Sequence, residues 1–168
     1  KKAMKNDNNI LDRSIYEDEI FMKMNTEMGN ATKVEYDIYK SLLNNMMEEL
    51  PYAAHKKSPD LMITIKVSYE TMIKRIIKRG RDYEQIEKDP SLVDYYHRLL
   101  SHYDDWMDEY DESPLLIIDG AKDDFVADVK DRVKILETIE DKLYYLGNLE
   151  QTKVDELRKA HLEILKQQ

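Results

Sequence analysis

Cysteine is absent from the chain, which rules out disulfides and thiolate metal sites. Glycine and proline are scarce, four of each, and long side chains abound, so a helix-rich protein is expected. No apolar run approaches the roughly 20 residues of a membrane-spanning helix, and no signal-peptide pattern is visible. Positive charge is in deficit: 26 Lys and Arg face 35 Asp and Glu, for a net charge of −9 and a pI near 5.0. Such a balance argues against a nucleic-acid backbone or an anionic membrane as the main partner. There is no internal repeat, low-complexity tract or second domain, and 168 residues suffice for one domain with a core. The lack of cysteine is compatible with a cytoplasmic location. The chain opens on Lys1 without methionine, inside what reads as the tail of a helix, and is expected to lack its natural start.

What is present alternates short apolar runs with amphipathic helices. Ile10-Leu11 reads as a brief strand ending in Asp12-Arg13-Ser14, with Ser14 capping the next helix. An ordinary structural ion pair is the plainer account of Asp12 and Arg13. Their place at a strand end is nevertheless where open parallel sheets bind ligands. A helix over about Ile15–Met28 follows, with Glu17, Asp18 and Glu19 in its first turn, as the helix dipole favours. Thr32 and Glu35 form a capping box for a second helix through Val34, Ile38, Leu42, Met46 and Leu50. Pro51 to Pro59 is a loop. Asp89-Pro90 starts a long helix carrying Leu92, Tyr96, Leu99, Tyr103, Trp106 and Tyr110. His97 and His102, five apart, point to different faces, which speaks against a helical metal pair. Leu115–Asp119 is another strand, followed by a helix over about Asp124–Leu146 that Gly147 closes. Thr152–Lys166 forms a last amphipathic helix, with His161 on its flank.

The stretch from Asp60 to Gln85 organises the rest. Leu61–Val67, rich in β-branched residues, reads as a strand buried on both faces. Ser68 caps a helix that carries Met72, Ile73, Ile76 and Ile77 inward and sets Arg75 and Arg79 one turn apart. Gly80 ends the helix and Arg81 follows at once. Guanidinium forks beside a glycine hinge suit a movable phosphate clamp, whereas a merely solvated basic helix end is the competing account. Three strands separated by helices give an α/β protein with a parallel sheet wrapped by helices, the N-terminal part of the sheet missing from this chain.

Asp12-Arg13-Ser14-Ile-Tyr-Glu-Asp18, then Arg75…Arg79-Gly-Arg81-Asp-Tyr-Glu84-Gln85, then Ile118-Asp119…Asp123-Asp124-Phe125, together resemble the bacterial branch of the deoxyribonucleoside kinases. The resemblance spans about Asn8 to Leu143. It implies a P-loop kinase-like fold, with 1–146 as kinase core and 147–168 as an additional C-terminal helix of a single domain. It also implies transfer of the ATP γ-phosphate to the 5′-hydroxyl of a deoxynucleoside, with Mg2+, in a cytoplasmic homodimer. By residue, Asp12 would help hold Mg2+, Arg13 would stand beside the 5′-oxygen and the moving phosphate, and Asp18 would face the base. Arg75, Arg79 and Arg81 would form the catalytic lid over the donor phosphates. Glu84 would bind the 3′-hydroxyl, and Asp124 and Phe125 would lie near the adenine of ATP.

One departure stands against that pattern. The family's Gly-x-x-x-x-Gly-Lys-Ser/Thr loop is absent, since none of Gly29, Gly80, Gly120 and Gly147 precedes Lys-Ser or Lys-Thr. That loop and the carboxylate that takes the 5′-hydroxyl proton are expected upstream of Lys1, in roughly 50 to 60 residues at about 30 per βα repeat. The chain alone is therefore expected to be inactive. Two alternatives share some features: a nucleoside monophosphate kinase resembling thymidylate kinase, and a non-catalytic, acidic helical interaction protein.

Overall fold

The computed structural model describes residues 9–13, 15–49 and 58–167. Its elements run α1 (Ile15–Glu27), α2 (Lys33–Glu49), β1 (Met62–Lys66), α3 (Tyr69–Arg79), a 3-10 turn (Asp82–Glu84), α4 (Leu92–Glu109), β2 (Leu115–Asp119), α5 (Val129–Tyr145) and α6 (Gln151–Lys166). They form two compact units: Lys1–Pro59 with Gly80–Tyr110, and Asp60–Arg79 with Asp111–Gln168. The expected cap at Ser14, Leu50 of the second helix and most of the Pro51–Pro59 loop fall outside the described residues. Among the described residues no helix is long and apolar enough to cross a membrane.

The first unit rests on α1 against α4. Ile20 and Met24 of α1 are buried, as are Tyr96 and Met107 of α4. Phe21 meets Tyr103 edge-on at 6.3 Å between ring centroids, and Trp106 Nε1 donates to the Tyr16 carbonyl at 3.1 Å. Trp106 thus buries apolar area while its indole N–H keeps a partner. Gly29 takes a left-handed φ of 76° and closes α1, with the Asn30 amide reaching back to the Asn25 carbonyl at 2.8 Å. The capping box forms as expected: the Thr32 amide donates to Glu35 Oε2 at 2.7 Å, and the Glu35 amide to Thr32 Oγ1 at 3.2 Å. α2 is tied to α1 by polar contacts, Tyr36 Oη to Glu19 at 2.5 Å and Tyr39 Oη to Asp18 at 2.6 Å. Its apolar ridge of Val34, Ile38, Leu42 and Met46 lies exposed. Asp89 accepts from the Ser91 amide and hydroxyl, holding the turn from which α4 departs at Leu92.

The second unit is a parallel pair, β1 and β2, in register from Met62 opposite Leu115 to Lys66 opposite Asp119. Ser68 Oγ accepts from the Thr71 amide at 3.3 Å, so α3 starts where its cap is expected. Asp128 caps α5 by accepting from the Lys130 and Asp131 amides. Gly147, at φ 77°, closes α5, and α6 packs back on α5 through buried Val154 and His161.

Several expectations are corrected. Ile10-Leu11 is no strand; Ile10 is fully exposed, and no described strand pairs with the run, so its backbone has no ladder to join. The described sheet therefore has two strands, and β1 is not covered on both faces, since Ile63 and Ile65 stay open. On α3 only Ile73 and Ile76 turn inward; Ile77 is half exposed, because four adjacent apolar positions subtend more arc than one packed face covers. The helix expected from Asp124 begins at Val129, since Asp128 supplies the cap and Asp124 organises the preceding turn. His161 is not a flank residue; it is buried at 5% exposure among acids of α5.

Candidate functional site

Within the first unit, the chain enters α1 through a strained step. Arg13 holds φ at 68°, a left-handed value that costs a residue with a Cβ roughly 1–2 kcal/mol. Its guanidinium lies 4.6 Å from the Phe21 ring centroid, and Nε stands 3.7 Å from Glu17 Oε1, so a cation–π contact and an ion pair hold the turn. Asp12 and Asp18 are both exposed. Asp18 is not simply a first-turn dipole partner, because Oδ2 accepts from Tyr39 Oη. Burial, and then that bond, push the Tyr39 hydroxyl well above the ordinary tyrosine range.

The segment after Gly80 is built, not loose. Gly80 has φ 70°, and Asp82–Glu84 forms a 3-10 turn. Arg81 NH1 stands 3.4 Å from Glu84 Oε1, Gln85 Nε2 donates to the Arg81 carbonyl, and Tyr96 Oη donates to the Glu84 carbonyl at 2.9 Å. The structure thus brings Arg81 and Glu84 together and ties the Glu84 backbone to α4. Glu84's side chain is mostly covered, at 16% exposure, while Arg81 is 54% exposed.

Arg75 and Arg79 belong to the second unit, with Arg79 exposed at the last turn of α3. Arg75 NH2 donates to the Gly120 carbonyl at 2.6 Å. The turn beyond β2 is held by side chains: Asp119 Oδ1 accepts from the Ala121 and Lys122 amides, and Asp131 Oδ2 from the Asp124 amide. Arg132 clamps the carbonyls of Phe125 and Val126 at 2.9 and 2.8 Å. Asp124 is exposed, with Oδ1 accepting from the Ala127 amide at 3.2 Å, and Phe125 is half-buried. Sequence reasoning missed Tyr39, Gly120 and Arg132. Only Gly120 carried a signal, as a glycine directly after a strand. Among the described residues, no group of three or more His, Asp or Glu could hold a metal ion by itself.

A family model described as deoxynucleoside kinase matches residues 1–144. The chain is 53% identical over 150 residues to a deoxyguanosine kinase of Lactobacillus johnsonii, covering 89% of this chain and 66% of that protein. It is 54% identical over 149 residues to a deoxyguanosine kinase of Lactobacillus acidophilus, covering 89% and 65%. It is 49% identical over 148 residues to a deoxyadenosine kinase of the same organism, covering 88% and 68%. The chain thus spans about two thirds of the length of these relatives. No solved structure matches it. With most of its length matched by the family model, the chain belongs to the deoxynucleoside kinase family.

Proposed function

We propose that the protein transfers the γ-phosphate of ATP to the 5′-hydroxyl of a purine deoxyribonucleoside, on a P-loop kinase fold of which 1–146 is core and 147–168 an added helix. The observation that carries this reading is the strained Arg13, because left-handed non-glycine residues cluster at active sites and ligand clamps. Phosphoryl transfer asks mainly for positioning and charge neutralisation, which arginines and a divalent cation supply. Arg13 serves the acceptor oxygen and Asp18 the base edge, with Tyr39 orienting the Asp18 carboxylate. Glu84, fixed by the Tyr96 contact to its carbonyl, takes the 3′-hydroxyl. Arg79 and Arg81 are assigned to the donor phosphates, and the turn at Asp124 and Phe125 to the adenine.

Asp12 is a lone exposed carboxylate, which fits Mg2+, an ion usually held by one or two carboxylates and otherwise by water and substrate phosphates. Bound there, it would neutralise charge on the phosphates. The exposed ridge of α2 supplies apolar surface of the kind a homodimer uses. The test is phosphorylation of deoxyguanosine, deoxyadenosine and deoxycytidine by full-length protein with ATP and Mg2+. Residues 1–168 alone, which contain no phosphate loop, are expected to be inactive. Failure of the full-length protein on every deoxynucleoside would overturn the reading, and turnover by 1–168 alone would overturn the inactivity.

A further inference from the structure

Gly120 is the tightest point of the second unit. Its amide continues the ladder beyond β2 by donating to the Lys66 carbonyl at 2.8 Å. A Cβ there would stand 2.6 Å from Ile65 Cγ2, 3.0 Å from Val67 Cγ1 and 3.4 Å from Arg75 NH1. Only glycine lets the backbone approach β1 and α3 this closely. The Arg75 guanidinium uses that approach to reach the buried Gly120 carbonyl at 2.6 Å. From Gly120 the chain runs directly into the Asp119-capped amides of Ala121 and Lys122 and on to Asp124 and Phe125. The far end of the same turn is fixed by Arg132 on the Phe125 and Val126 carbonyls.

We propose that Arg75 is a positioning residue: it ties α3 to the Gly120 carbonyl and so sets the turn that receives the adenine of ATP. This rests on the kinase reading above and deepens it, because it separates Arg75 from the neighbouring Arg79. Sequence spacing puts the two one turn apart on one helix. Both are exposed, but the structure gives Arg75 a backbone acceptor just beyond β2, and Arg79 sits at the helix end. A guanidinium so engaged controls where a loop sits. It contributes to donor binding through the loop, not through the phosphate in flight.

The experiment compares full-length wild type with Arg75→Met, which keeps the aliphatic stem but removes the donors, and with Arg75→Lys, which keeps one. Amide exchange is followed at Ala121, Lys122, Asp124 and Ala127, each bonded to a side-chain acceptor within the unit. Arg75→Met is expected to speed exchange at these amides and to raise the ATP KM about 10-fold, the lower end for losing a charge-assisted bond. The kcat should stay within about 3-fold, since no donor to the transition state is lost. Arg75→Lys is expected to recover most of both effects. Unchanged exchange in Arg75→Met overturns the proposal, as does a kcat loss of about 100-fold that lysine does not rescue. Should Arg75→Met fail to fold, Arg75→Lys decides alone: exchange and KM between wild type and a 10-fold change support the proposal, and a collapse of kcat with native exchange overturns it. A wild type inactive on all deoxynucleosides would sink the kinase reading separately, and the exchange measurement would still decide whether Arg75 holds the turn.

Discussion

Replacing Arg158 with methionine should release α6 from α5, and the geometry sets how strongly. Arg158 NH1 pairs with Glu140 Oε2 at 2.5 Å, and NH2 reaches Asp141 Oδ1 at 2.5 Å and the Glu137 carbonyl at 3.2 Å. These arms are unequal. Asp141 is 69% exposed, so its arm contributes at most about 1 kcal/mol. Glu140 is 8% exposed, and without Arg158 its carboxylate keeps only His161 Nε2, at 3.3 Å, as a recorded partner. Removing one partner of a buried pair costs about 3–5 kcal/mol, and Arg158's own 27% exposure puts this case at the low end, about 3 kcal/mol. At roughly 2–4 °C per kcal/mol for a chain of this size, the melting temperature should fall by about 6–12 °C. Urea unfolding read by far-UV circular dichroism, with amide exchange along α6, gives the loss. Arg158→Met with Glu140→Met should recover much of it, because no charge is then left buried. The reasoning is refuted if Arg158→Met costs under about 0.5 kcal/mol, or if Asp141→Asn costs as much as Arg158→Met.

The α1–α2 contact should fail at both ends of the pH scale. Burial opposes ionisation of Glu19, but its bonds from Tyr36 and Lys40 win and hold the carboxyl below its ordinary 4.5; that stabilisation is present above 4.5 and lost as pH falls through the depressed value. Burial, then Glu19, push the Tyr36 hydroxyl up to about 12 from 10.0, so its share is present below 10 and lost as pH rises through about 12; amide exchange in α2 measures both limbs, and Tyr36→Phe should flatten the alkaline one. Asp18→Ala should reorder deoxynucleoside preference more than it changes the ATP KM, and Tyr39→Phe should do the same more weakly; a uniform loss across nucleosides in steady-state assays would reduce Asp18 to an anchor for α2. Alanine at Arg79 or Arg81 should lower kcat by at least about 100-fold with little change in stability, lysine rescuing only in part. If kcat holds and only the ATP KM rises, the pair is a docking surface.

Capping signals were legible because they are local. Thr32 with Glu35, Ser68, Gly80 and Gly147 each act within a few residues of themselves, and each ends or starts a helix where the sequence places it. The β2 strand was equally plain, a short apolar run between a proline and a glycine. What escaped depends on partners distant in sequence. Ile10-Leu11 has strand composition, but a strand exists only with a neighbour to bond, and none among the described residues offers one. His161 reads as an edge residue of an amphipathic helix; it is buried against α5, where Glu140, more than a helix away in sequence, stands 3.3 Å from its Nε2. In the candidate site, Asp18 and Arg75 were named from motif, yet neither motif nor spacing could show that Tyr39 and Gly120 hold them.

The arginines make the same point about charge. On a chain of net −9, a triphosphate meets long-range repulsion, so only guanidiniums not already spent on the protein can draw it in. Arg132 is committed to two backbone carbonyls and Arg158 to the acids and carbonyl of α5; neither can serve a ligand without breaking the turn or the hairpin it holds. Arg98 pairs with Asp94 one helical turn away at 2.7 Å, whereas Arg13 stands 3.7 Å from Glu17 and is mostly exposed. Arg81 is held as loosely as Arg13. Its bridge to Glu84 is 3.4 Å long and more than half exposed on the arginine side, which makes it worth little and easily exchanged. A phosphate offers that fork two well-placed oxygens where Glu84 presents one distant one.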